Sequence, residues 1–266
     1  MKRILIRALI ILTSIYIILC ISFYFFQEKL IFYPQKLDKN YRFSFNQNFE
    51  EINIKTEDGI VLNSLLFKAK ESKGLIFYLH GNAGALNSWG QIAPLYTDFG
   101  YDILFTDYRG FGKSGGSINS QSQLFSDTQE VYDKIKTRYD ENRIVILGFS
   151  IGTGIASKMA SENNPKMLIL QAPYYSLTDV IQNYCPIIPN FIVKYKLETY
   201  KYISRCKMPI TIFHGDKDDV INYSNSVKLK ELLKDTDTMI TLEDEKHNTI
   251  ISSKEYQMRI SEILNK

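Results

Sequence analysis

The chain has 266 residues, 45% hydrophobic and 23% charged, enough apolar material for one large α/β domain and a tight fit for two. With 32 Lys and Arg against 29 Asp and Glu, the formal charge is only +3, and no basic run is long enough to follow a phosphate backbone, so the balance argues against a nucleic-acid partner. Cys20, Cys185 and Cys206 lack C-x-x-C spacing, which indicates neither a structural zinc nor a disulfide framework. Cys185 and Cys206 are expected to be unpaired small apolar residues, with a bridge between them as the alternative outside the cytosol.

Residues 8–26 carry no charge, close to the roughly 20 residues that span a bilayer. The run is long for a signal-peptide core, no small-x-small cleavage site follows it, and bulky Leu19 before Cys20 argues against lipoprotein processing. The expectation is an uncleaved single-pass anchor, with residues 1–34 forming anchor and juxtamembrane segment and 35–266 the globular domain. Lys2, Arg3 and Arg7 against Lys29, Lys36 and Lys39 lean only slightly to a cytoplasmic N-terminus and an extracytoplasmic domain. Leu30, Ile31, Phe32 and Tyr33 before Pro34 suit a segment at headgroup level.

Residues 51–56 and 60–68 alternate apolar and polar around Asp58 and Gly59, the pattern of an antiparallel hairpin. Short continuous apolar runs follow at 75–79, 102–106, 143–147, 167–170, 210–213 and 239–242, as expected of parallel strands buried on both faces. Helical stripes lie between them, among them Leu124, Thr128, Val131 and Ile135, and later Tyr256, Ile260, Ile263 and Leu264. The alternation predicts an α/β fold with a mostly parallel central sheet, helices on both faces and the site at the strand C-terminal ends. Residues 174–206, rich in Tyr, Ile, Phe and Pro, exceed what one crossover needs and form either a small lid or an extra packing layer.

Gly148, Phe149, Ser150, Ile151 and Gly152 spell G-x-S-x-G after an apolar strand and before a small-residue helix. That context presents a serine on a sharp strand-to-helix turn, and Ser150 is the expected nucleophile, with a helix-capping serine as the plain alternative. A serine hydroxyl needs a base, usually a histidine held by a carboxylate. Of three histidines, His80 precedes the serine and His214 ends a strand before the acidic cluster, leaving His247 in a late polar loop. Asp216, Asp218, Asp219 and the earlier Asp179 compete as the acid; Asp218 is preferred, because Asp216 suits a turn cap and Asp219 would point the other way in an extended loop. Asp219 is the reserve. Backbone N–H groups of Ile151 and of Asn82, in the loop His80-Gly81-Asn82-Ala83-Gly84, are the expected oxyanion donors, with a plain Gly-rich strand-to-helix turn as the alternative for that loop.

H-G-N-A-G, D-Y-R-G-F-G-K-S-G, G-F-S-I-G, H-G-D-K-D-D-V-I and the late histidine stand in the order seen in α/β-hydrolases, from about residue 50 onward. More narrowly the chain resembles the small membrane-anchored abhydrolase-domain proteins, where H-G-x-x-D supplies the acid, matching Asp218. The resemblance implies esterase or thioesterase chemistry on a small-molecule or lipid-like acyl substrate, with some relatives acting on acylated proteins. No cofactor or metal is expected. The loop from Asp107 to Gly112 reads as architectural. Rival readings are a serine peptidase of the same fold, a membrane-anchored binding protein on a hydrolase scaffold, or a cofactor-free peroxidase sharing the triad; a dehalogenase is disfavoured, because it wants a carboxylate at the elbow.

Overall fold

The computed structural model describes residues 1–265, so the expected globular segment 35–266 ends one residue outside them. The chain starts with α1 (Lys2–Ile31) and the short β1 (Tyr33–Pro34), then enters the hairpin of β2 (Phe49–Lys55) and β3 (Val61–Phe67). Next come β4 (Leu75–Leu79), the short β5 (Ala83–Gly84), α2 (Leu86–Trp89), α3 (Ala93–Asp98), β6 (Asp102–Thr106), α4 (Gln121–Lys136), β7 (Ile144–Phe149), α5 (Gly152–Glu162) and β8 (Met167–Gln171). After α6 (Leu177–Tyr184) and α7 (Thr199–Ile203) the chain closes with β9 (Ile210–Gly215), α8 (Ser224–Lys230), β10 (Thr238–Leu242) and α9 (Lys254–Leu264).

Eight strands form one sheet in the order β10-β9-β8-β7-β4-β6-β3-β2. From β10 to β6 every pairing is parallel, while β3 is antiparallel to both β6 and β2. This is the α/β-hydrolase fold. Its parallel strands are apolar throughout because each has two faces to cover. In β4, Leu75, Phe77 and Leu79 join one core while Ile76 and Tyr78 join the other; β7 repeats this with Ile144 and Ile146 against Val145, Leu147 and Phe149. The first core includes Leu124, Val131, Tyr132 and Ile135 of α4 and Ile155 and Met159 of α5, and the second Tyr256, Ile260 and Leu264 of α9. Serine caps start α4 and α9: the Ser120 hydroxyl accepts from the Gln123 N–H at 3.1 Å and Ser253 from Tyr256 at 3.5 Å.

Helix α1 is long and apolar enough to cross a membrane. The juxtamembrane segment departs from the headgroup expectation. Ile31 and Phe32 are buried in the first core, with the Phe32 ring 5.4 Å from Tyr195, and only Leu30 and Tyr33 stay exposed. The apolar surface of the domain beside them takes these two side chains out of water, which stabilises their packing there. Of residues 174–206, Tyr174, Tyr195, Leu197 and Ile203 are buried in the core, whereas Tyr184, Ile187 and Phe191 are exposed. Cys20, Cys185 and Cys206 are free thiols, and burial raises the Cys206 thiol to about 12.

Arg109 ties the loop after β6 to the rest of the domain. Its guanidinium donates to both Asp127 oxygens at 2.6 Å and to both Asp58 oxygens at 2.6 and 2.8 Å. The Asp127 side chain is almost fully buried, so removing the arginine strands a carboxylate. Arg109→Ala is expected to cost about 3–5 kcal/mol in urea unfolding, with Asp58→Asn costing far less because Asp58 faces solvent.

Candidate active site

The parallel strands β4, β7, β9 and β10 all end at one edge of the sheet, and the loops leaving them carry the chemistry-bearing residues. Ser150 lies between β7 and α5 with φ of 53°, a left-handed conformation that non-glycine residues rarely adopt. Glycines on either side make the turn sterically feasible. A Cβ on Gly148 would lie 2.6 Å from the Gly152 carbonyl oxygen, and one on Gly152 would lie 2.0 Å from that of Leu79. The Ser150 N–H donates to the Gln171 carbonyl on β8 at 2.9 Å, and the Ile151 carbonyl accepts from the Tyr174 hydroxyl at 2.9 Å. The turn is thus held from the sheet and from residue 174.

His247 Nε2 is 2.9 Å from Ser150 Oγ, and His247 Nδ1 is 2.7 Å from Asp218 Oδ2. The other Asp218 oxygen accepts from the N–H groups of Val220 at 2.8 Å and Ile221 at 2.7 Å. Burial by itself would raise the Asp218 carboxyl, but hydrogen bonds from His214 and His247, the His247 charge and the Ile221 N–H outweigh it and hold the group well below the usual carboxylate range. The competing acids lie elsewhere. Asp179 pairs with Lys228 at 2.9 Å, Asp216 accepts from the Asp244 N–H at 2.8 Å, and Asp219 is exposed with Lys246 at 3.8 Å.

The loop after β4 brings Asn82 to the same edge. Neither the Asn82 nor the Ile151 backbone N–H has a hydrogen-bond partner among the described residues. The loop from Asp107 to Gly112 supports that segment from below: the Tyr108 hydroxyl donates to the His80 carbonyl at 2.9 Å, and Asp107 Oδ2 accepts the Leu86 N–H at 3.3 Å. Burial pushes the Asp107 carboxyl up, against the lowering effect of neighbouring His80.

Sequence reasoning passed over His214. It is fully buried, with Nδ1 2.6 Å from Ser226 Oγ and Nε2 2.9 Å from the Ile221 carbonyl and 3.2 Å from Asp218 Oδ2. It therefore braces the carboxylate that faces His247. The available signal was its spacing of four residues from Asp218 at a strand end. Also unread in the sequence was a cavity of about 670 Å³ against His247, with Trp89, Ile92, Leu95, Phe149 and Ile251 among its lining residues.

A family model described as serine aminopeptidase, S33, matches residues 70–204. The chain belongs to that hydrolase family. A putative alpha/beta hydrolase of Acanthamoeba polyphaga mimivirus is 29% identical over 216 residues, 78% of this chain and 81% of its own length. Protein bem46 of Schizosaccharomyces pombe is 26% identical over 222 residues, 77% and 74% of the two chains. Lysophosphatidylserine lipase ABHD12 of Xenopus tropicalis is 33% identical over 179 residues, covering 58% of this chain and 45% of that protein. The fold is shared with an esterase of Pyrococcus furiosus at a TM-score of 0.71 and 21% identity, over 88% of this chain and 97% of that one.

Asp218 gives this hydrolase a pH signature. Because the folded chain holds the carboxyl below its unfolded value, the ionised form favours folding fully above the ordinary carboxylate range, and that gain is lost as pH falls through and below about 4. The stability difference between wild type and Asp218→Asn is to be read by urea unfolding, starting from pH 5. Below that it should move against the wild type, with a slope approaching about 1.4 kcal/mol per pH unit. A difference independent of pH down to 2.5 would show that the carboxyl is not held ionised.

Proposed function

We propose that this hydrolase is a membrane-anchored serine hydrolase of carboxylic esters or thioesters with a long apolar part. The observation that carries the reading is the unbroken line Asp218, His247, Ser150, with contacts of 2.7 and 2.9 Å, ending beside the apolar cavity. Ser150 Oγ attacks the substrate carbonyl carbon as His247 Nε2 takes the hydroxyl proton, and ionised Asp218 stabilises the resulting imidazolium. The N–H groups of Asn82 and Ile151 receive the tetrahedral oxyanion. Collapse breaks the bond to the leaving oxygen or sulfur, which takes the proton from His247. Water, deprotonated by the same imidazole, then attacks the acyl-enzyme, and its breakdown releases the acid and restores the Ser150 hydroxyl.

Lipid-like substrates fit the lining, in which Trp89, Ile92, Leu95, Phe149 and Ile251 supply apolar surface and no carboxylate is present to hold an α-ammonium group. That favours an acyl ester over the peptide amine end implied by the family's description. The lipase name of ABHD12 points the same way, and the apolar helix α1 would keep the domain at the bilayer where such substrates reside.

Ser150→Ala should lower turnover of p-nitrophenyl esters by about four to six orders of magnitude and abolish fluorophosphonate labelling. Near-normal turnover by that variant would sink the assignment. On a panel of p-nitrophenyl esters beside aminoacyl p-nitroanilides, the esters should dominate. Ile251→Trp, which fills the cavity, should shift the preferred acyl group to a shorter chain with little loss on acetate; an unchanged chain-length profile would place the acyl chain elsewhere.

A further inference from the structure

The anchor helix and the strand that follows it are hydrogen-bonded directly to the loop that carries Asn82. The Ile31 carbonyl, one of the terminal acceptors that a helix leaves unpaired, accepts from Asn82 Nδ2 at 2.9 Å. Two residues on, the Tyr33 N–H donates to the Asn82 carbonyl at 2.8 Å, and the Gln35 N–H donates to the Gly84 carbonyl at 3.0 Å. These bonds make β1 and β5 a small parallel sheet, with Tyr33 opposite Ala83 and Pro34 opposite Gly84. The same strand then crosses to the loop after β6, where the Gly112 N–H donates to Gln35 at 2.8 Å and the Leu37 N–H donates to Gly112 at 3.0 Å.

A peptide unit is planar and trans, so its N–H points opposite its C=O. The N–H of Asn82 shares a plane with the carbonyl of Gly81, and His80 Nδ1 holds that carbonyl at 2.7 Å. The following plane carries the Asn82 carbonyl, which Tyr33 holds. Asn82 is therefore fixed from behind by His80, from ahead by Tyr33 and through its side chain by Ile31, while its own N–H stays free of any partner among the described residues. Two of these three restraints come from outside the hydrolase domain proper, from the segment leaving the membrane helix.

The geometry points to the juxtamembrane segment, Ile31 and Tyr33 above all, as a positioning element of the active site that aims the Asn82 N–H at the oxyanion. This rests on the serine-hydrolase reading above. The anchor then does more than hold the enzyme on a membrane: catalysis depends on it even for a water-soluble ester, where proximity to lipid gives no advantage. Helix α1 reaches that loop without a flexible linker, because Phe32 is already extended (φ −112°, ψ 127°) and buried before Tyr33 pairs.

Tyr33→Pro in the full-length protein isolates the contact. It removes one N–H donor, and extended Phe32 tolerates a following proline. The variant is compared in detergent with wild type and with Tyr33→Phe, which keeps the N–H. Turnover of p-nitrophenyl acetate is divided by the number of sites labelled to end point with a fluorophosphonate. The expected result is a fall in kcat per labelled site of at least tenfold, short of the about 10²–10³ that loss of an oxyanion donor costs, with KM within twofold and Tyr33→Phe close to wild type. A kcat per labelled site within twofold of wild type overturns the proposal. A loss seen only as fewer labelled sites overturns it too, since that is a folding defect. If Tyr33→Pro does not fold, Asn82→Ala decides, because it keeps the backbone N–H and removes only the tether to Ile31: a kcat within twofold overturns the proposal and a fall of severalfold at constant KM supports it. Failure of the wild type to label, or activity surviving in Ser150→Ala, would instead strike the serine-hydrolase reading itself.

Discussion

Everything at the site depends on the turn at Ser150. A φ of 53° at a non-glycine residue costs about 1–3 kcal/mol and persists only where the surroundings enforce it. Here β7 and α5 enforce it from either side, with glycines at 148 and 152 because neighbouring carbonyl oxygens occupy the space a Cβ would need. Relaxing the turn would move the hydroxyl off the 2.9 Å contact with His247 and leave the polar loops around it with nothing to serve. The strain is offset by the apolar strands beneath, which bury both faces of the sheet.

A second constraint is electrostatic. A carboxylate with its side chain fully buried is costly unless hydrogen bonds replace its water, and Asp218 is supplied with two backbone N–H groups and two imidazoles. The strand end of β9 delivers His214 and the loop beyond it delivers Asp218, so one short segment contains both the charged group and its brace. His247 arrives from a different loop, after β10, and closes the arrangement.

The long apolar helix α1 belongs to the same structure. Its last turn and the next residues pack into the core through Ile31 and Phe32, form a strand with residues 83 and 84, and reach the loop at Gly112. Helix α1 is thereby joined to the domain by backbone pairing as well as by side-chain packing. Gln27 adds to the join: its side chain donates to the Ile192 carbonyl at 3.1 Å and accepts the Lys194 N–H at 2.8 Å.

The sequence by itself determined the features that rest on local chemistry and periodicity. Continuous apolar runs can only be covered on two faces, so the parallel sheet was legible, and a G-x-S-x-G between strand and helix marks a turn whose sterics are local. The long uncharged run marked α1. The order of Ser150, Asp218 and His247 was legible too, because three histidines left few combinations. What only the tertiary structure decided are the contacts between segments far apart in the chain. Whether Ile31 and Phe32 face lipid or protein depends on which surface lies beside them, and no local pattern encodes that. His214 looked like a strand-end residue until folding turned its ring toward Asp218, and the sequence pointed to Asn82 as an expected donor but not as the residue held by Tyr33, 49 positions earlier in the chain. Such pairings are fixed by how the strands and loops pack in three dimensions, and that is the level at which helix α1 and the loop carrying Asn82 become one unit.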